Sequence, residues 1–199
     1  MTRLLVALIA LVCATAASAQ NLPAASNSAN AVNLPAGLDP QNTILLDTAY
    51  GRVVIKLRAD LAPKHAERIK TLAREKFYDN VPFHRVIDGF MAQTGDPTGT
   101  GTGGSGHKLK AEFSSEKHVR GTTSMARATD PNSADSQFFI MFAPAPSLDG
   151  QYTVWGEVTS GMENIDKIKK GESARNGIVV GPDKFVKMQV AADAEKAKQ

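Results

Sequence analysis

One stretch of the chain sets a permanent cation among residues that otherwise belong in a protein interior. In FHRVIDGFMAQTGD, residues 83–96, Arg85 stands within a strand-forming apolar run, and arginine is rarely buried without a partner. Side chains alternate between the faces of a strand. Arg85, Met91 and Gln93 therefore share odd parity, with Gly89 a position where a bulge can reset it. SQFFIMF, residues 136–142, repeats the arrangement, with Phe138, Ile140 and Phe142 on one face and Gln137, Phe139 and Met141 on the other. Both faces of this run are apolar, but only one carries an amide. A core needs one face, so the other set must meet something else. Two strands that each show an amide beside an apolar side chain describe a shallow apolar patch with convergent polar groups, the pattern of a binding site. The alternative is a second core under a long loop.

Rival chemistries find less support. Gly99, Gly101 and Gly104 satisfy G-x-G-x-x-G, but they lie in GTGTGGSG, where many spacings match by chance. HKLKAEF, which follows, does not open the amphipathic helix that a dinucleotide site requires. His65, His84, His107 and His118 lack ligand spacing, so neither a metal nor another cofactor is expected. Ser136 is not in a G-x-S-x-G elbow. His84 has the opposite parity to Arg85 and is read as a packed or capping residue.

The elements that must position these residues follow from periodicity. The chain has 199 residues, 42% hydrophobic and 22% charged, which suits one soluble domain with appendages. TILLDT and RVVIKLR form an opening hairpin around Ala49-Tyr50-Gly51. APKHAERIKTLARE predicts a helix with Pro63 near its start and Ala66, Ile69, Leu72 and Ala73 on one face. VPFHRVI, FMAQTG, GTTSMAR, SQFFIMF, TVWGEV and KFVKMQV are further β runs, with Trp155 assigned to the core or barrel wall. GMENIDKIKK predicts a second helix presenting Met162, Ile165 and Ile168. The expectation is an all-β-dominated fold, an eight-stranded antiparallel closed β barrel capped by two α-helices.

Residues 1–19 read as a secretory signal, with Arg3 in the n-region, an apolar core over Leu4 to Val12 and an Ala17-Ser18-Ala19 cleavage site. That apolar stretch is short for a bilayer span, so no stable membrane insertion is expected after cleavage. Cys13, the single cysteine, lies inside the signal, and Val12 before it is too large for the usual lipoprotein context. Residues 20–41 read as a flexible linker, with a docked N-terminal arm as the alternative. The domain is placed at 42–191 and a charged, frayed tail at 192–199. Net charge is +3, falling by one when Arg3 leaves. The basic residues form no stripe, so no nucleic-acid partner is expected.

FHRVIDGFMAQTGD, the glycine-rich loop, SMAR, SQFFI, LDGQYTVWGEV and the helix containing Ile165-Asp166-Lys167-Ile168 together resemble the cyclophilin family of peptidyl-prolyl cis-trans isomerases. The resemblance runs in family order from Asn42 to Val190, and SMARATDPNSADSQFFI is similar to the bacterial branch. It implies the same eight-stranded antiparallel closed barrel with two capping helices. It implies a catalytic Arg85, a proline pocket of Phe90, Met91, Phe139 and Leu148, and Gln93 and Gln137 holding substrate backbone. Ala126 and Arg127 would form the edge along which the peptide lies, and Tyr152 takes a position where eukaryotic members often carry histidine. Ser147 stands where the family commonly has tryptophan or phenylalanine, a departure that implies weak cyclosporin binding.

The residue types suit the reaction. Resonance gives the X-Pro C–N bond partial double character and a barrier of about 18–20 kcal/mol. At the twisted transition state the prolyl nitrogen gains a localised lone pair. A donor aimed there stabilises the transition state more than either planar ground state. Arg85 stays protonated at working pH and its planar fork holds a fixed direction. No cofactor, metal or general base is required. The expected substrate is a proline-containing segment of an unfolded or folding protein, and the expected state is a monomer in the periplasm or secreted medium. A module that binds Pro-containing segments without turnover is the rival from another class, although it has no need of Arg85. The mature protein is expected to begin near Gln20. Intact-mass measurement on natively produced protein checks this, and a mass retaining Met1 to Ala19 would remove the export reading.

Overall fold

Turn chemistry and two-residue alternation place every strand on a run that the sequence marks. A computed structural model describes residues 34–196; the signal at 1–19, the linker up to residue 33 and residues 197–199 of the tail lie outside the described residues. The strands are β1 (Thr43–Thr48), β2 (Gly51–Leu57), β3 (Arg85–Ile87), β4 (Met91–Thr94), β5 (Thr122–Met125), β6 (Phe138–Met141), β7 (Val154–Ser160) and β8 (Phe185–Val190). The helices are α1 (Pro63–Arg74), α2 (Met162–Asp166) and α3 (Ala191–Lys196). The strands form one sheet in the order β3-β4-β6-β5-β7-β2-β1-β8, with antiparallel pairing throughout.

The expected closed barrel is corrected to an open half-barrel. β3 and β8 end the sheet, and no ladder joins them. Pro82 meets Lys184 only in an isolated bridge, and a proline has no N–H with which to extend a ladder. Beyond that point the free edge of β3 is taken by the loop before β8. Val86 donates to the Gly177 carbonyl at 2.8 Å, and the Val179 N–H donates to the His84 carbonyl at 3.0 Å. Gly177 has φ +77°, and a Cβ there would collide with the Ile87 side chain. Only glycine lets this loop seat so closely.

The inner face of the sheet and α1 enclose the core. Trp155 lies at its centre, fully buried as expected, edge-on to Phe138 at 5.2 Å between ring centres. Phe83 and Phe185 meet similarly at 4.8 Å, bringing the chain on either side of the open seam together. α2 is shorter than GMENIDKIKK suggests, although Ile165 and Ile168 are buried as its pattern requires.

A third helix corrects the count of two, and it falls where a frayed tail was expected. Leu45 and Val54 face away from the main core, where Ala191 and Ala194 of the α3 segment cover them. Leu34 and Leu38, within the expected linker, pack on the same cluster. Apolar residues on both faces of β1 thus find cover on both sides.

α1 illustrates a cap that is remote in sequence. Its N-cap residue Ala62 offers no side-chain acceptor, leaving the orphan donors of the first turn to find one elsewhere. Glu112 supplies it, accepting from Lys64 N at 3.2 Å and His65 N at 3.1 Å, with His65 Nδ1 at 2.6 Å. Burial works to raise the Glu112 pKa, but hydrogen bonds from His65 and the helix amides hold it below its ordinary value. Glu112→Ala should cost about 1–2 kcal/mol, as loss of a cap does, in chemical denaturation at pH 7. A depressed carboxylate contributes fully above its unfolded pKa, ordinarily 4.5, and its contribution is lost as pH falls through the folded value. The gap between wild type and variant should therefore shrink on acidification from pH 5, and a constant gap would refute the capping role.

Candidate functional site

The β3–β4 hairpin fixes the site by register. Arg85 pairs with Gln93 and Ile87 with Met91. Parity thus passes unbroken through the Asp88-Gly89-Phe90 turn, where Gly89 has φ +67° and produces no bulge. β4 pairs with β6 so that Gln93 opposes Phe139 and Met91 opposes Met141, while β5 sets Ser124 opposite Phe139. The odd-numbered outward set is thereby assembled across three strands.

Phe138, Ile140 and Phe142 enter the main core. Met91, Phe139, Met141 and Ala145 form a separate buried cluster, with Ile87, Phe90, Ala126, Leu148 and Tyr152 packed against it. That cluster is not a sealed second core. It opens into a cavity of about 190 Å³ lined by Arg85, Phe90, Met91, Gln93, Ala126, Arg127, Phe139, Leu148 and Tyr152. Gln137, the remaining residue of the expected set, lines an adjoining cavity of about 400 Å³ that shares Gln93, Ala126 and Arg127 with the first. Among the described residues, no three His, Cys, Asp or Glu side chains gather to hold a metal ion.

Arg85 is held without a counter-ion among the described residues. Its Nε donates to the Asn176 carbonyl at 3.0 Å, one Nη to Asn176 Oδ1 at 3.0 Å, and the other to Gln93 Oε1 at 3.1 Å. No acidic side chain among the described residues pairs with it. A guanidinium has five N–H donors, so two are left unused by these contacts on a residue that lines the cavity. Burial lowers its pKa, with Tyr152 acting in the opposite direction. The amides extend the arrangement: Gln93 Nε2 donates to Gln137 Oε1 at 3.0 Å, and Gln137 Nε2 donates to the Gly103 and Gly101 carbonyls at 2.8 and 3.0 Å.

The aromatic wall is braced from behind. His118, fully buried, stacks on Phe139 with ring centres 6.2 Å apart. Its Nε2 lies 2.9 Å from Ser124 Oγ and its Nδ1 3.2 Å from Asp149 Oδ1. Asp149 also accepts from the His118 backbone at 2.8 Å, tying the turn that carries Leu148 to this wall. Burial lowers the His118 pKa against the opposing pull of Asp149. Tyr152 meets Phe139 edge-on at 5.7 Å, with the Arg127 guanidinium 4.6 Å above the Tyr152 ring. Ser147 is exposed on the Pro146–Leu148 3-10 turn and does not line the cavity. His84 is packed, as its parity implies; burial lowers its pKa, while the Asp96 charge acts to raise it.

Sequence reasoning missed Asn176, His118 and Asp149. The Asn176-Gly177 dipeptide signals a turn, and Asn176 has φ +53°. Nothing local shows that this turn delivers a carbonyl and an amide oxygen to Arg85. His118 and Asp149 are 31 residues apart, and their pairing has no local signature.

The likeness to known proteins agrees with this geometry. Residues 43–190 match the family model described as cyclophilin type peptidyl-prolyl cis-trans isomerase/CLD. A probable peptidyl-prolyl cis-trans isomerase of Brucella suis is 54% identical over 169 residues, covering 79% of this chain and 86% of the relative. Among solved structures, a cyclophilin from Hirschia baltica aligns with TM-score 0.70 and 27% identity, over 78% of this chain and 76% of its own. A cyclophilin type isomerase from Cryptosporidium parvum, crystallised in the presence of the dipeptide Ala-Pro, aligns with TM-score 0.68 and 30% identity, over 74% of this chain and 98% of its own. The chain therefore belongs to the cyclophilin-type peptidyl-prolyl cis-trans isomerases, a family of enzymes.

Proposed function

We propose that this chain accelerates rotation about X-Pro peptide bonds of exported proteins as they fold, with Arg85 acting on the prolyl nitrogen. The observation that carries the reading is the guanidinium itself, uncompensated by any described acid and fixed at the edge of an apolar cavity. Phe90, Met91, Phe139 and Leu148 grip the prolyl ring while the preceding carbonyl swings. Gln93 and Gln137 hold substrate backbone, and Ala126, Arg127 and Tyr152 border the peptide's path. As the amide twists, its nitrogen lone pair localises and an Arg85 N–H donates to it. The interaction is stronger at the transition state than in either planar form, so it accelerates both directions equally. The proton stays on Arg85, and no bond is made or broken.

The setting outside the cytoplasm is supported by the residue pattern of 1–19, and the substrate class by the family and by the Ala-Pro condition of the Cryptosporidium relative.

Arg85→Ala should lower turnover of an X-Pro peptide by about 100- to 1000-fold, the scale for removing one transition-state donor, with little change in ground-state affinity. Arg85→Lys should restore little, since a point ammonium cannot reproduce the fork. Phe139→Ala should instead weaken binding and rate together. Protease-coupled isomerisation, with circular dichroism to establish folding, checks all three. Near-normal turnover by folded Arg85→Ala would overturn the mechanism and return the non-catalytic binding module to consideration.

Cyclosporin should bind weakly, because Ser147 offers no aromatic wall beside Leu148. Ser147→Trp should tighten cyclosporin by about 1–3 kcal/mol, the value of one large apolar contact, with peptide turnover changed much less. Calorimetric titration of both proteins decides it, and equal affinities would show the position to be silent.

A further inference from the structure

Asp96 is a fully buried carboxylate for which no ion-pair partner exists among the described residues. Its charge is met by donors from the glycine-rich loop. Oδ1 accepts from Thr98 N at 2.8 Å and Thr98 Oγ1 at 2.7 Å. Oδ2 accepts from Gly101 N at 2.7 Å, Gly103 N at 3.1 Å and Thr100 Oγ1 at 3.4 Å. A Cβ on Gly103 would fall inside contact distance of Oδ1. This part of the run is therefore shaped to close on a carboxylate of its own chain.

The loop's carbonyls then act outward. Gly101 and Gly103, whose N–H groups face Asp96, are the residues whose carbonyls accept from Gln137 Nε2. An amide side chain has one acceptor end and one donor end, so a chain of amides has a polarity set by its termini. At one end stands Arg85, a donor only; at the other stand two carbonyls, acceptors only. Gln137 must therefore turn its nitrogen to the loop and its oxygen to Gln93, and Gln93 must turn its nitrogen to Gln137 and its oxygen to Arg85. One N–H of Gln93 is left for other partners.

We infer that Asp96 is a positioning residue, which through the Gly101–Gly103 loop orients the Gln137 and Gln93 amides and so fixes the direction in which Gln93 and Arg85 present their remaining donors to the substrate. The inference rests on the isomerase reading. Asp96→Asn tests it with little change of shape, because the new NH₂ would face donors on whichever side it took. Turnover and KM on one X-Pro peptide should be measured for wild type, Asp96→Asn, Gln93→Ala, the double variant and Arg85→Ala.

Asp96→Asn should lower kcat by about 10- to 100-fold, the scale of a sub-ångström to ångström misplacement, with KM changed far less. In the Gln93→Ala background the chain is already cut, so the same substitution should cost no more than about twofold, within additivity error. No loss, or an equal loss in both backgrounds, would overturn the positioning role. Should circular dichroism show Asp96→Asn unfolded, Thr98→Val removes one hydroxyl donor from the carboxylate. It runs through the same cycle, where a loss seen with Gln93 intact and absent with Gln93→Ala supports the role and an equal loss in both, or none, overturns it. Arg85→Ala separates the two readings. Normal turnover there removes the isomerase mechanism, whereas an inactive Arg85→Ala together with an equal loss for Asp96→Asn in both backgrounds removes Asp96 alone.

Discussion

Holding a guanidinium partly out of water without a carboxylate is the constraint from which the arrangement of this face follows. Arginine does not release its proton at any working pH, so the cost of desolvating it must be met by acceptors. A carboxylate would meet that cost most fully, but it would also neutralise the field that the cavity receives. The protein uses neutral oxygens, two from Asn176 and one from Gln93. Hydrogen bonds to a charged group contribute about 1.5–3 kcal/mol each, so three of them hold the fork firmly and leave its charge uncancelled. Gln93 can serve only with its oxygen toward Arg85, and that requirement passes to Gln137 and the glycine-rich loop.

The same economy of elements governs the two-faced strands. β1 and β6 both carry apolar side chains on both faces, so alternation alone treats them alike. Leu45 on β1 is covered by α3 and by Leu34 and Leu38, whereas Phe139 on β6 is left beside an open cavity. What separates structure from function here is what lies above the face, and that is supplied by chain far away in sequence. Phe139 on the outward face of β6 still lines the cavity because its neighbours Phe90, Leu148 and Tyr152 border that space and do not fill it.

This division explains what was legible in the sequence. Strand identity, the length of α1, the inward set around Trp155 and Phe138, and the parity uniting Arg85 with Gln93 are local properties, and periodicity reports them. Of the residues carried over from the family resemblance, nine line one cavity and Gln137 lines the cavity beside it. The parts that escaped are contacts between distant segments: Glu112 capping α1, Asp149 bracing His118, and Asn176 holding Arg85 across 91 residues. α3 escaped for another reason. AADAEK reads as a charged tail because the apolar residues it packs are alanines, and alanine carries little apolar signal until a partner such as Leu45 is known.

Closure of the sheet was the reading that failed, and its failure is tied to the site. Had β8 paired along β3, the N–H of Val86 and the carbonyl of His84 would have entered a ladder with a regular strand. They bond instead to Gly177 and Val179, so the residue beside Gly177 is carried to the end of β3. That residue is Asn176, left-handed at φ +53°, with both its backbone and side-chain oxygens on Arg85. A ladder strand offers a carbonyl only at fixed spacing and sends its side chains to the two faces. It could not place two oxygens of one residue around a single guanidinium. The irregular loop does so, and the open seam between β3 and β8 is the structural counterpart of an arginine held firmly by neutral oxygens.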